Sequence, residues 1–494
     1  MASGELSPMA RLRKRLWPIE GYELKKVLPL LFMKFFISFT YGILTTMKDA
    51  SVVTARGSGA EVIPVLKGWI VLPIALGATV LYSKLSNILN RSTLFYSIIS
   101  LFMGFVFLYG FVLYPNLDTL SPHASADWLL SKLGAENSHW VAIYRNWIQS
   151  LFFVTAELWG SVVIFLLFWG FVNHICNINE AKRSYNLFIA GGDLAQMFTG
   201  PVVCYFTGKY LATHFELALQ SLVICVLCFG AMIMLLHWYI TRKVLTDSRL
   251  YQPEKQQQPI DQKTKLSLLQ SLKLVVRSPY LRCIAIMVIA YGLTVNLTEV
   301  TWKANLKLAY PDTGAYQSFM ATVSSSVGVC SFIITLFFSG LIVRRLGWHF
   351  SAQLPPIIIG ATSLIFLTLF INQSYFGSSP LFLIVLFGAF QNISTKVMKY
   401  AFFDSTKEMS YIPLDGELKV KGKAAIDVVG SRLGKSGAAW IQIALIQLSG
   451  TGSVLSITHF LLPLIGCTVI FWILAVRQLN KQFTLEKDLI ETST

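Results

Sequence analysis

The stretch Phe152–Val172, FFVTAELWGSVVIFLLFWGFV, is long and apolar enough to cross a bilayer, yet it carries one carboxylate, Glu157. A membrane span needs about 20 mostly apolar residues. An acid near the middle of one costs roughly 2.5–3.5 kcal/mol on insertion, so it is kept where the protein interior uses it. Glu157 either pairs with a lysine of a neighbouring helix and locks the bundle, or serves a solute or a proton. The other charges of the chain bear on that choice.

Apolar runs recur along the chain. Stretches near 27–47, 65–85, 94–114, 146–173, 185–207, 217–240, 280–300, 316–343, 351–371, 380–402, 424–449 and 455–476 predict twelve transmembrane helices. With 54% apolar and 13% charged residues over 494 positions, the expected class is an all-α polytopic membrane protein. The formal net charge of +16 does not point to nucleic acid, because the basic residues gather between spans rather than on aromatic-interleaved faces. The seven cysteines are scattered and form no disulfide framework. Cys225 and Cys228 make a lone CxxC inside an apolar run, which reads as two packed thiols and not as a metal site.

No catalytic or cofactor motif is present. The heptapeptide Gly430–Ser436, GSRLGKS, imitates a phosphate loop but has three residues where that motif needs four before Gly-Lys. No HExxH or GxSxG occurs. An ATP-hydrolysing enzyme or pump is therefore not expected.

Lysine and arginine concentrate on the cytoplasmic side of membrane proteins. Here they fall in the first 26 residues, in the loops with Lys84 and Arg91, Lys182 and Arg183, and Arg344 and Arg345, in 396–423, and after Arg477. The segments 115–143, 372–379 and 450–454 are poor in them. Both termini are then expected in the cytoplasm of a cell carrying this protein in its membrane. Between the sixth and seventh spans the polar run YQPEKQQQPIDQKTK marks a flexible linker. The expected organisation is a cytoplasmic segment 1–26, a six-helix half 27–240, a linker 241–279, a second six-helix half 280–476 and a cytoplasmic tail 477–494. Two six-helix bundles joined this way resemble a major-facilitator-type transporter, with its solute site between the halves at mid-membrane.

Charges within or at the ends of spans mark that site. Lys48 and Asp49 close the first span and Glu299 closes the seventh, its equivalent in the other half. Asp193 in the fifth span and Lys435 in the eleventh, again equivalent, sit beside glycines. A multiply anionic nucleotide needs cationic donors such as Lys48, Arg432 and Lys435, and glycine backbone that approaches phosphate closely. Glu157 and Glu299 would hold those lysines in the empty site, or bind sugar hydroxyls or a proton. Lys67, Lys84 and Lys303 read as helix-end residues snorkelling to headgroups. Trp159, Trp169 and Trp302 are the aromatic residues near the expected site, with no residue assigned to stack a base.

The stretches VVTARGSGAEVIPVLKGWIVLP, AELWGSVVIFLLFWGF, NEAKRSYNLF, IAYGLTVNLTEVTWKANLKLAYP and KYAFFDSTKEMSYIPLDGELKVKGKAAIDVVGSRLGKSG resemble the nucleotide transporter family, the ATP/ADP translocases of obligate intracellular bacteria and of plastids. The resemblance implies twelve spans and import of host ATP by exchange for ADP and phosphate through alternating access. It places four functional charges on Lys48, Glu157, Glu299 and Lys435. It implies no cofactor. The chain departs from the family pattern at Thr45 and Thr46, where an arginine is often near, at Phe171–Ile175, where the family reads FANQI, and at Asp193, where it usually has asparagine. An extra acid inside a span is what proton coupling uses. Proton-coupled uptake or exchange of other nucleotides, GTP, UTP, CTP or NAD, therefore stands beside ATP/ADP exchange, with Asp193 as the proton site.

Overall fold

The computed structural model describes residues 21–176, 178–210, 215–247, 249–251, 268–375, 380–411, 414, 422–423 and 425–493, and these contain no strand. Residues 1–20 of the expected segment 1–26 and the centre of the linker, 252–267, lie outside the described residues. Seven long helices come first: α1 (Leu24–Val53), α2 (Val62–Ile88), α3 (Arg91–Leu113), α4 (Trp147–Ile175), α5 (Ile178–Tyr210), α6 (Phe215–Val244) and α7 (Pro279–Ala309). The next helical run, Thr313–Ile371, is too long for one crossing, and Gly347 at φ +82° breaks it into α8 (313–346) and α9 (348–371). Only a residue without Cβ adopts that backbone at little cost. The chain ends in α10 (Pro380–Ser410), α11 (Ser431–Ser449) and α12 (Thr458–Ser493). Ten helical runs among the described residues are long and apolar enough to span a membrane. The break at Gly347 and the more polar α11, packed on α7 and α2, make the set consistent with twelve crossings.

The helices overrun the apolar stretches, and the extensions are where the charges sit. The first span, read as 27–47, continues to Val53, so Lys48 and Asp49 lie within α1. The seventh continues through Lys303 to Ala309. Lys396, Lys399 and Lys407, read as part of a basic loop, belong to α10. A helix continues past its apolar run when its polar flank finds partners inside the protein, and these flanks do.

One apolar core gathers residues from Val27 to Leu250, and two others centre on α7 to α12. The two sets of helices meet along α5 and α8, where Gly200 N donates to Ser325 Oγ at 2.8 Å and Ser325 Oγ donates to Met197 O at 2.8 Å. They also meet at one end of the molecule. There Thr54 and Thr313 share a hydrogen bond of 2.7 Å, Lys307 donates to Ser58 O, and Gly452 packs against Ala135 and Ser138.

At the opposite end, where α1 begins and α12 ends, ties run within each set. Lys26 Nζ donates to Ile175 O at 2.6 Å, Glu180 Oε2 at 2.8 Å and Leu250 O at 2.9 Å, fastening α1, α4, α5 and the start of the linker together. In the other set Lys407 Nζ reaches Asp427 Oδ1 at 2.8 Å, and Tyr280 Oη donates to Ser410 O at 2.6 Å.

The glycines beside the charges serve helix crossing. A Cβ on Gly292 of α7 would lie 2.9 Å from Gly434 Cα of α11, and one on Gly191 of α5 would lie 2.8 Å from Leu31 of α1. The expectation that these glycines admit phosphate is corrected: Gly434 is buried against α7, and its neighbour Lys435 is set by that contact. The GSRLGKS segment is helical, a wide turn over Ile426–Gly430 running directly into α11.

Candidate functional site

The site begins on α1. Lys48 Nζ lies 2.9 Å from Asp49 Oδ1 and 2.9 Å from Glu157 Oε1 of α4, and 4.1 Å from the centre of the Phe153 ring. Lys303 Nζ of α7 lies 2.9 Å from Asp49 Oδ2 and 3.0 Å from Glu299 Oε1 one turn earlier. Lys67 of α2 stands 3.9 Å from Glu299 Oε2 and 3.4 Å from Asn296 Oδ1. The result is an alternating row, Glu157, Lys48, Asp49, Lys303, Glu299, Lys67, whose charges cancel. Lys48, Asp49 and Lys303 are each only 2% exposed. Buried ions repay their desolvation only with good geometry and full pairing, and here each buried lysine has two carboxylates.

This overturns one expectation. Lys67 and Lys303 do not snorkel to headgroups: Lys303 is buried and ion-paired with α1 and within its own helix α7, and Lys67 faces Glu299 inside the bundle. No apolar pattern distinguishes a lysine at a helix end that turns inward from one that turns out, because the deciding partner, Asp49, is 254 residues away.

A second group of cations is not matched this way. Lys435 is exposed, within electrostatic reach of Glu157, Glu299, Lys67 and Lys399, and has no carboxylate within 4.0 Å among the described residues. Lys396 faces the same charge row and also lacks such a partner among them. Lys399 stands 3.7 Å from Asp404, and both are partly exposed. Arg432, one turn before Lys435 on α11, is partly buried. Lys396 and Lys399 were missed by sequence reasoning; their spacing of three on an apolar helix was the signal that could have found them.

Asp193 of α5 lies near Lys34 of α1 and Lys399 of α10, rather than near Lys435. Lys34 is 8% exposed and sits 5.6 Å from the centre of the Phe168 ring. Among the aromatics, Trp159 and Trp302 are fully buried, and their indole N–H groups donate to Ile37 O and Val385 O. Neither offers a face to a ligand. Trp169 packs on Phe168 and Tyr185.

Two sets of membrane-crossing helices around a charged interior have the fold of major-facilitator-type proteins. Solved structures agree on the fold: the chain matches the nucleoside transporter NupG with a TM-score of 0.56 at 12% identity, covering 92% of this chain and 99% of that one. It matches the inward open conformation of the xylose transporter XylE from E. coli with a TM-score of 0.53 at 12% identity, covering 92% and 95%.

The family follows from the sequence relatives. Residues 3–483 match the TLC ATP/ADP transporter family model, and the chain belongs to that family. It is 43% identical to ADP,ATP carrier protein 1 of Chlamydia pneumoniae over 99% of this chain and 98% of that protein. It is 39% identical to ADP,ATP carrier protein 1 of Rickettsia prowazekii over 96% of each. It is 41% identical to the chloroplastic ADP,ATP carrier protein 1 of Arabidopsis thaliana over 97% of this chain and 78% of that protein.

Proposed function

We propose that this multi-pass membrane protein exchanges ATP for ADP by alternating access, importing ATP, and does not hydrolyse it. The observation that carries the reading is the near full-length match to ADP,ATP carriers combined with an interior that holds unmatched lysines. Nucleotide phosphates are bound by Lys435, with Arg432 on the same face of α11 and Lys396 and Lys399 on α10. Charge-assisted contacts of this kind are the strong ones.

The halves 27–240 and 280–476 rock about this site, and the basic loops place both termini in the cytoplasm. The row from Glu157 to Lys67 closes the outer side. An incoming polyphosphate competes with Glu157 and Glu299 for Lys48 and Lys67, loosening the row from its ends toward the Asp49–Lys303 pair. Substrate thereby gains differential affinity for the two states, which any ligand-driven change requires.

A second reading, proton-coupled net uptake, has one observation in its favour. Asp193 is a carboxylate on a membrane-spanning helix and lies near Lys34 without an ion pair at 4.0 Å or less among the described residues. Reconstituted vesicles test both. Uptake of labelled ATP that requires internal ADP or ATP and ignores a protonophore supports exchange. Uptake into empty vesicles that the protonophore abolishes supports symport, and hydrolysis of ATP by the purified protein defeats both.

A further inference from the structure

No apolar or charge pattern in the chain marks the residues that hold a base, and the buried tryptophans do not supply them. Two other aromatic side chains face the interior from opposite halves. Tyr41 of α1 and Tyr400 of α10 are both partly exposed, within electrostatic reach of each other, and in no ring–ring contact among the described residues. Tyr291, the third tyrosine nearby, is already stacked on Phe403 at 4.8 Å and set edge-on to Trp472.

The surroundings of the pair are built and incomplete. The edge of the Tyr41 ring lies over Gly160 of α4, where an added Cβ would stand 3.2 Å from it. Lys399 Nζ covers the Tyr400 ring at 4.8 Å from its centre. Gln196 of α5 has its backbone held by Ser325 and its side chain beside the Tyr400 hydroxyl, while its buried Oε1 has no hydrogen-bond partner among the described residues. A buried acceptor without a donor costs about 1–3 kcal/mol unless something satisfies it. Lys396 lies one turn, about 6 Å, along α10 from Tyr400 and faces the charge row, so a cation and an aromatic ring occupy successive turns of one helix.

We propose that Tyr41 and Tyr400 clamp the base of the bound nucleotide between the two halves, and that Gln196 Oε1 accepts a hydrogen bond from the exocyclic amine of that base. The assignment rests on the nucleotide-transport reading and names the part of the same site that distinguishes bases. An adenine or cytosine amine satisfies the orphaned acceptor, whereas a carbonyl at that position sets two acceptors face to face. Because the rings come from different halves, the clamp closes only when the halves are in one relative position, which links base recognition to the conformational step.

The test compares ATP, ITP and inorganic tripolyphosphate, which has phosphates and no base, binding to purified full-length protein. Tyr400→Ala and Tyr41→Ala should each weaken ATP ten- to hundredfold, the range of base stacking lost on alanine substitution, and leave tripolyphosphate unchanged. Retained tripolyphosphate binding also marks the variants as folded. Tyr400→Phe should keep ATP near wild-type affinity, and Gln196→Leu should narrow the preference for ATP over ITP. Equal losses for ATP and tripolyphosphate, or unaltered ATP binding in both alanine variants, overturn the clamp while leaving nucleotide transport standing. Wild-type protein that binds no nucleotide overturns the transport reading and the clamp with it.

Discussion

Lys303 Nζ sits 2.9 Å from Asp49 Oδ2, and this buried contact joins α7 to α1 across the boundary between the two sets of helices. Each partner has a second, opposite charge on its own side: Lys48 for Asp49 and Glu299 for Lys303. Pulling the halves apart at this level exchanges one shared row for two separate pairs. A boundary between such pairs can open and close without stranding a bare charge in a dry interior.

Lys303→Met should therefore destabilise the closed end that holds the Thr54–Thr313 contact by an amount of order 3–5 kcal/mol, the penalty for removing one partner of a buried pair. A cysteine at Ser58, which is buried at that end, should react faster with an impermeant thiol reagent in the Lys303→Met background than in the parent. Removing both partners, Asp49→Leu with Lys303→Met, leaves Lys48 with Glu157 and Glu299 with Lys67 and should restore slow labelling. Equal labelling rates in all three proteins would remove this contact from gating.

Lys435→Ala should weaken ATP binding about ten- to hundredfold, the worth of one charge-assisted hydrogen bond at roughly 1.5–3 kcal/mol, without lowering thermal stability. Stability is spared because the side chain is exposed and holds no ion pair within 4.0 Å among the described residues. Lys396→Ala should act in the same direction. Titration calorimetry and a melting curve on the same samples check both parts.

Gly292→Ala puts a methyl 2.9 Å from Gly434 Cα, so one of the two helix backbones must shift to admit it. The expected loss is about 1–3 kcal/mol, in the range of core overpacking. Because Lys435 follows Gly434, the variant should also lose ATP affinity. Unchanged melting temperature with unchanged affinity would mean that the crossing is looser than its geometry states.

Orientation is open to cysteine labelling. Ser125→Cys, on the short helix His123–Leu133, should label from outside intact cells, and Ser86→Cys near the end of α2 only after permeabilisation. The native thiol Cys176 should add no background, since burial pushes it up to about 12 and leaves little thiolate at neutral pH. Labelling of Ser86→Cys in intact cells would invert the topology.

Asp193→Asn separates the two coupling modes. If Asp193 carries the proton, the variant should lose uptake into empty vesicles and the protonophore sensitivity of uptake, and keep ATP/ADP exchange. If Asp193 only balances Lys34 and Lys399, both modes should fall together. Vesicle assays of the two modes side by side decide between them.

The sequence by itself determined the membrane character, the helical class and the positions where charge interrupts apolar runs, because length and hydropathy are local properties that the bilayer reads directly. Glu157, Glu299, Lys48 and Lys435 were visible for that reason: each is a charge in or beside a run that should have none. What those charges touch was decided only by tertiary structure. Whether Lys303 turns to the headgroups or to Asp49, whether Gly434 admits a ligand or a neighbouring helix, and whether Trp302 offers its face or its N–H to Val385 O depend on helices far apart in sequence. The physical reason is that a buried ion or a bare glycine backbone is tolerated only against a complementary partner, and the fold alone brings that partner within 3 Å.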